Sequence, residues 1–135
     1  MHPDGLKYSP QHIWLKDEGN GNLRLGITYY YQEQLKSVVF LELPGVGAEL
    51  KLGEPFATIE SSKVSTDLTS PVSGTVIDAN LSVTEKPGLI NKDPYGQGWL
   101  LVVRPSQPDE LKSLLSAAKY LAIASGEAGE GPWGT

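Results

Sequence analysis

Cysteine is absent from the chain. That absence removes disulfides, thiolate metal ligands and cysteine nucleophiles together. Methionine is almost absent too, with Met1 standing alone. No apolar run approaches the ~20 residues that span a bilayer. Basic residues are outnumbered, 11 against 16, and a net charge of −5 makes a nucleic-acid backbone an unfavourable partner. The opening MHPDGLKYSP lacks the charged-then-apolar pattern of a secretory leader, so a cytoplasmic address with no membrane partner is expected. Metal ligands at a recognisable spacing are missing. So is a phosphate-cradling glycine loop, since GEAGEG follows a helical segment rather than opening one. What 135 residues allow is one compact domain with a single modest core.

Glycine and proline punctuate the chain at short intervals, which favours many short strands. HIWLK alternates, setting Ile13 and Leu15 against His12, Trp14 and Lys16, and LRLGI alternates similarly. VVFLEL over 38–43 is a stronger strand, stopped by PGVG. PFATIES, VSTDLTS, SGTVIDAN and GWLLVVRP complete the set, and TYYYQEQLK suits a helix of about two turns. One longer helix is predicted over 108–124, with Leu111, Leu114, Leu115, Ala118 and Leu121 as its apolar stripe. Pro108, Asp109 and Glu110 suit its first turn, and Gly126 its end. The expected domain covers 1–124. The glycine-rich stretch 125–135, with Trp133, reads as a flexible tail.

ATIESSKVSTDL poses the functional question. Two strands, roughly 56–61 and 64–69, meet at a turn that carries Lys63 beside Ser61 and Ser62, with Glu60 just before them. Strands on both sides would hold the lysine at a fixed, displayed position, as a group awaiting modification requires. Gly47 and Gly74 flank the hairpin and suggest backbone turns that close the sheet beneath it. An independent enzyme fits poorly: a general base needs His12 or a carboxylate in a cleft with a partner, and His12 sits on an alternating strand beside Trp14.

ESSKVSTDLTSPVSGTV resembles the lipoyl-attachment hairpin of lipoyl domains, and in particular that of the glycine cleavage H protein family. GLKYSPQHIW, GITYYYQEQLKSVVFLELP, KPGLINKDPYGQGWL and SQPDELKSLLSAAKY resemble further segments of that family, in order, from about Leu6 to Tyr120. A biotin carrier would flank its lysine with methionines, whereas Ser62 and Val64 stand here. The resemblance implies a mainly β barrel-sandwich hybrid with a short internal helix and a C-terminal helix. It implies a non-catalytic carrier bearing lipoic acid in amide linkage on Lys63. Glu60 would be read by a lipoate ligase or lipoyltransferase, and Asp67 would contact the arm or its cargo.

The chain departs from the family pattern near that site. An acid is replaced by Ile13, a second by Tyr29, and a glycine and an acid by Lys36 and Ser37, while Asp67 is kept. A cationic aminomethyl cargo favours carboxylates. The losses therefore tilt the expectation towards an H-like paralogue serving a heterodisulfide-reductase-like complex in sulfur oxidation. The alternative is the glycine cleavage system, with glycine decarboxylase, aminomethyltransferase and dihydrolipoamide dehydrogenase as partners.

Overall fold

The computed structural model describes residues 3–126. Two antiparallel sheets face one another across an aliphatic core. The larger has the order β1–β2–β3–β9–β8–β5, from β1 (Lys7–Tyr8), β2 (Ile13–Asp17), β3 (Leu23–Ile27), β9 (Leu101–Pro105), β8 (Gly74–Ala79) and β5 (Glu49–Leu50). The smaller is β4 (Val38–Glu42), β6 (Pro55–Ser61) and β7 (Ser65–Thr69). Together they give the expected mainly β sandwich with a C-terminal helix, its two sheets not closed into a barrel. Ile13, Leu15, Leu25 and Ile27 from the first sheet meet Leu41, Ile59 and Leu68 from the second.

Between β3 and β4 runs α1 (Tyr29–Leu35), the predicted short helix. Thr28 caps it, its side chain accepting from the Tyr31 N–H, and the chain leaves through Lys36 at φ 67°. Two five-residue helices, α2 (Leu81–Glu85) and α3 (Gly88–Lys92), were not foreseen. Each is shorter than two helical turns, so periodicity has nothing to register. Gly47 lies in a turn as expected, at φ 94° with its N–H donating to the Val76 carbonyl (2.8 Å). Gly74 does not form a turn. It opens β8, between Leu50 and Pro105, where any Cβ would strike the Arg104 carbonyl.

The long C-terminal helix is corrected. Pro108–Ser113 form a 3₁₀ turn, Leu114 is extended (φ −72°, ψ 152°), and only Ala117–Gly126 make a helix, α4. The break arises because Leu115 pairs in both directions with the Tyr8 backbone, N–H to O at 2.9 and 2.7 Å. A strand-like bridge and a helical hydrogen bond cannot share those groups. The predicted stripe fails with it: Ala118 and Leu121 are exposed, and Ala117, Tyr120 and Ala124 are the buried positions of α4. The expected tail, with Trp133, lies outside the described residues from 127 onward.

Alternation in HIWLK has the right phase, yet both faces are buried here. Ile13 and Leu15 join the aliphatic core, while Trp14 is equally buried on the other face among Tyr8, Ala117, Tyr120 and Ala124. The first sheet is thus covered on both sides at this end. His12 is buried there too, its Nδ1 2.6 Å from the Tyr120 hydroxyl, which is also 2.8 Å from Thr28 Oγ1.

Candidate functional site

β6 and β7 form the hairpin, with Glu60 opposite Ser65 and Thr58 opposite Asp67. Ile59 and Leu68 point into the core and anchor it. Alternation then places Phe40, Glu60 and Ser65 in one outer row and Glu42, Thr58 and Asp67 in the next. This face carries three carboxylates on its two rows beneath the turn. Thr58 Oγ1 donates to Asp67 Oδ1 (3.1 Å) and orients that carboxylate. Asp67 also borders a groove of about 460 Å³ with Glu42, Pro44, Phe56 and Thr58. Beside the turn, Val39 and Phe40 are 60% and 47% exposed, because a register irregularity between Val38 and Phe40 leaves two successive apolar residues outside.

The turn itself is Ser61–Val64. The Ser61 N–H donates to the Val64 carbonyl (2.8 Å), closing a two-residue loop of Ser62 and Lys63. Ser61 Oγ accepts from the N–H groups of Lys63 (3.1 Å) and Val64 (3.0 Å) and donates to the Val64 carbonyl (3.1 Å). One hydroxyl thereby uses its donor and both acceptor positions inside the turn. The Ser62 N–H donates to the Ser37 carbonyl (2.8 Å), tying the tip to the segment before β4. Lys63 is exposed, and Val64 packs partly on the core beneath it. Lys63 is thus displayed on a turn whose backbone N–H groups, from Ser61 to Val64, are all engaged.

Lys63 lies at the tip of the hairpin, Glu60 in the first outer row below it and Asp67 in the second, at the middle of β7. Of the positions where acids are lost, Ile13 and Tyr29 lie away from the turn, and Ser37 touches it through its backbone. Ile13 has no exposed surface and belongs to the core. Tyr29 lies at the start of α1, its hydroxyl donating to Glu33 Oε1 (3.0 Å), and this contact raises the Tyr29 pKa. Ser37 contributes its backbone carbonyl rather than its side chain. Sequence reasoning missed the roles of Ser61 and Ser37. A serine two residues before a turn residue is a recognisable side-chain-to-backbone signal, whereas a backbone acceptor leaves no trace in residue identity. Among the described residues no group of three His, Cys, Asp or Glu side chains could hold a metal ion. No described helix is long and apolar enough to cross a membrane.

Residues 6–127 match the family described as Glycine cleavage H-protein. The chain belongs to this family. A glycine cleavage system H protein from Symbiobacterium thermophilum is 50% identical over 121 residues, covering 90% of this chain and 94% of the relative. The mitochondrial glycine cleavage system H protein of Pisum sativum is 47% identical over 124 residues, covering 92% and 74%. The crystal structure of a glycine cleavage system H protein from Mycobacterium marinum superimposes with a TM-score of 0.81 at 34% identity, covering 89% of this chain and 96% of that one. These glycine cleavage H proteins are matched over most of their length, and that favours the glycine cleavage alternative over the sulfur-oxidation paralogue.

Proposed function

We propose that this chain is the lipoyl carrier of a glycine cleavage system, modified on Lys63 and not itself catalytic. The observation that carries the reading is the turn: an exposed lysine on a two-residue loop whose N–H groups are all engaged, by Ser61, by the Val64 carbonyl and by Ser37. The residues present fit an amide-linked lipoyl group, since an arm attached here points away from the core and meets an acidic outer face. Lipoic acid would supply a disulfide whose exchange chemistry takes up and releases the cargo. The chain's part is to display Lys63, to offer Glu60 to a lipoate ligase or lipoyltransferase, and to present Asp67 to an amine-bearing cargo. Partners under this reading are glycine decarboxylase, aminomethyltransferase and dihydrolipoamide dehydrogenase.

The missing acids no longer argue for another pathway. Ile13 serves packing, and the Tyr29 hydroxyl is engaged by Glu33 within α1. The test uses lipoate–protein ligase, lipoate and ATP. Intact mass should rise by one lipoyl group, and Lys63→Arg should abolish the rise because arginine offers no amine for a stable amide. The lipoylated protein should then support aminomethyl transfer between glycine decarboxylase and aminomethyltransferase. Modification at another lysine, or no transfer by the Lys63-modified protein, would sink the reading.

A further inference from the structure

We propose that Asn91, on α3 and remote in sequence from the hairpin, is the positioning residue that holds the Lys63 turn in its displayed form. The inference rests on the carrier reading for its biological meaning, but its physical basis is separate. Asn91 uses its whole side-chain amide on one short segment and its neighbour. Nδ2 donates to the Lys36 carbonyl (2.7 Å) and to Gln32 Oε1 (3.0 Å), while Oδ1 accepts from the Val38 N–H (2.8 Å). The bonds to Lys36 and Val38 bracket Ser37 on both sides. Ser37 is the residue whose carbonyl accepts the Ser62 N–H, one position from Lys63.

The bracket is needed because the segment is strained. Lys36 stands at φ 67°, ψ −148°, a region that glycine enters freely and a side chain does not. Left alone, Lys36 would return to negative φ and swing the following peptide, carrying the Ser37 carbonyl away from Ser62. Asn91 opposes that rotation from a helix whose Ile90 is fully buried in the core. The Ser37–Ser62 bond then transmits the restraint to the turn. A modifying enzyme that binds only the displayed turn sees an affinity reduced by the fraction of molecules in that form, so loosening the bracket raises KM and leaves kcat alone.

The experiment uses the full chain with lipoate–protein ligase, lipoate and ATP, alongside amide hydrogen exchange on the unmodified protein. Asn91→Ala should raise KM for the protein substrate roughly tenfold with kcat within about twofold. The Ser62 amide should exchange faster while amides of β2 and β3 keep their protection. Adding Lys36→Gly, which removes the strain, should restore most of both readouts; a structural defect unrelated to Ser37 would not respond to it. Should Asn91→Ala fail to fold, Asn91→Asp keeps the acceptor for Val38 and loses both donors, and the same shifts are expected. Unchanged KM with unchanged Ser62 exchange overturns the inference. So does exchange that quickens uniformly across the sheets, or a double variant that behaves like Asn91→Ala. If the parent protein is not modified at all, the carrier reading fails, and the exchange measurements still decide the role of Asn91.

Discussion

The hairpin sheet and the aromatic end of the larger sheet solve opposite problems. The hairpin sheet is covered on one face only, and its outer rows of Phe40, Glu60 and Ser65, then Glu42, Thr58 and Asp67, face outward. The larger sheet at β1–β3 is covered on both faces, by the aliphatic core and by α4 with its aromatic cluster. There Tyr8 stacks on Tyr120 with ring centroids 4.9 Å apart, and the Trp14 indole donates to the Pro94 carbonyl (2.9 Å). One-sided coverage leaves side chains available to be read. Two-sided coverage spends them on packing, so substitutions there should register in stability, and substitutions on the hairpin face in modification.

The strongest way to break that contrast is Gly26→Ala. Trp14 lies directly opposite Gly26 in the register, and an added Cβ would sit 2.6 Å from its indole ring. The ring has no room to retreat, so a loss of about 3 kcal/mol is expected, the upper range for overpacking. Thermal unfolding should drop by on the order of 10 °C; a neutral result would mean the aromatic face is loosely packed. Tyr120→Phe comes next. It strips the hydroxyl that meets both His12 and Thr28, and about 1–2 kcal/mol should be lost in urea titration.

Alkaline titration probes the same end more gently. Burial pushes the Tyr95 hydroxyl up to about 12, and burial together with Tyr95 and Asp4 raises that of Tyr8 further. Both folded values exceed the ordinary 10.0, so the fold favours the neutral phenols. Their contribution is complete below pH 10 and drains as pH rises towards the folded values. Midpoints measured from pH 9 to 12 should fall above 10, and Tyr95→Phe should flatten part of that fall. The smallest change belongs to the hairpin: Glu60→Ala should alter stability by less than about 0.5 kcal/mol while slowing lipoylation. A large thermal shift in that variant would erase the contrast.

The same contrast explains what was legible. The hairpin joins neighbouring strands through a two-residue loop, so its pairing, its tip and the placing of Lys63, Glu60 and Asp67 on one hairpin are written locally. Strands 56–61 and 64–69 were expected; Pro55–Ser61 and Ser65–Thr69 are found. The helix over 108–124 was misread because its break at Leu114–Leu115 is imposed by Tyr8, at the far end of the chain. The alternation set His12 and Trp14 opposite Ile13 and Leu15 but could not show that their face is buried as well, since the helix that covers them comes from residues 117–126. Ile13 was weighed as a missing acid when it is a core residue, and that inflated the case for a different pathway. Periodicity gives the phase of a strand; it does not say whether a distant segment will cover the second face.

The contact between His12 and Tyr120 joins residues 108 positions apart. A chain growing from the ribosome therefore completes the hairpin long before it can seal its first strands. Until Leu115 and Tyr120 emerge, Tyr8 and Trp14 have no cover, and the edge of β1 lacks its bridge. Closure of this domain consequently waits for synthesis through Tyr120. Under the carrier reading, a ligase meeting the nascent protein would find the lysine turn assembled on an open sandwich, and the order of modification and closure would be a matter of kinetics.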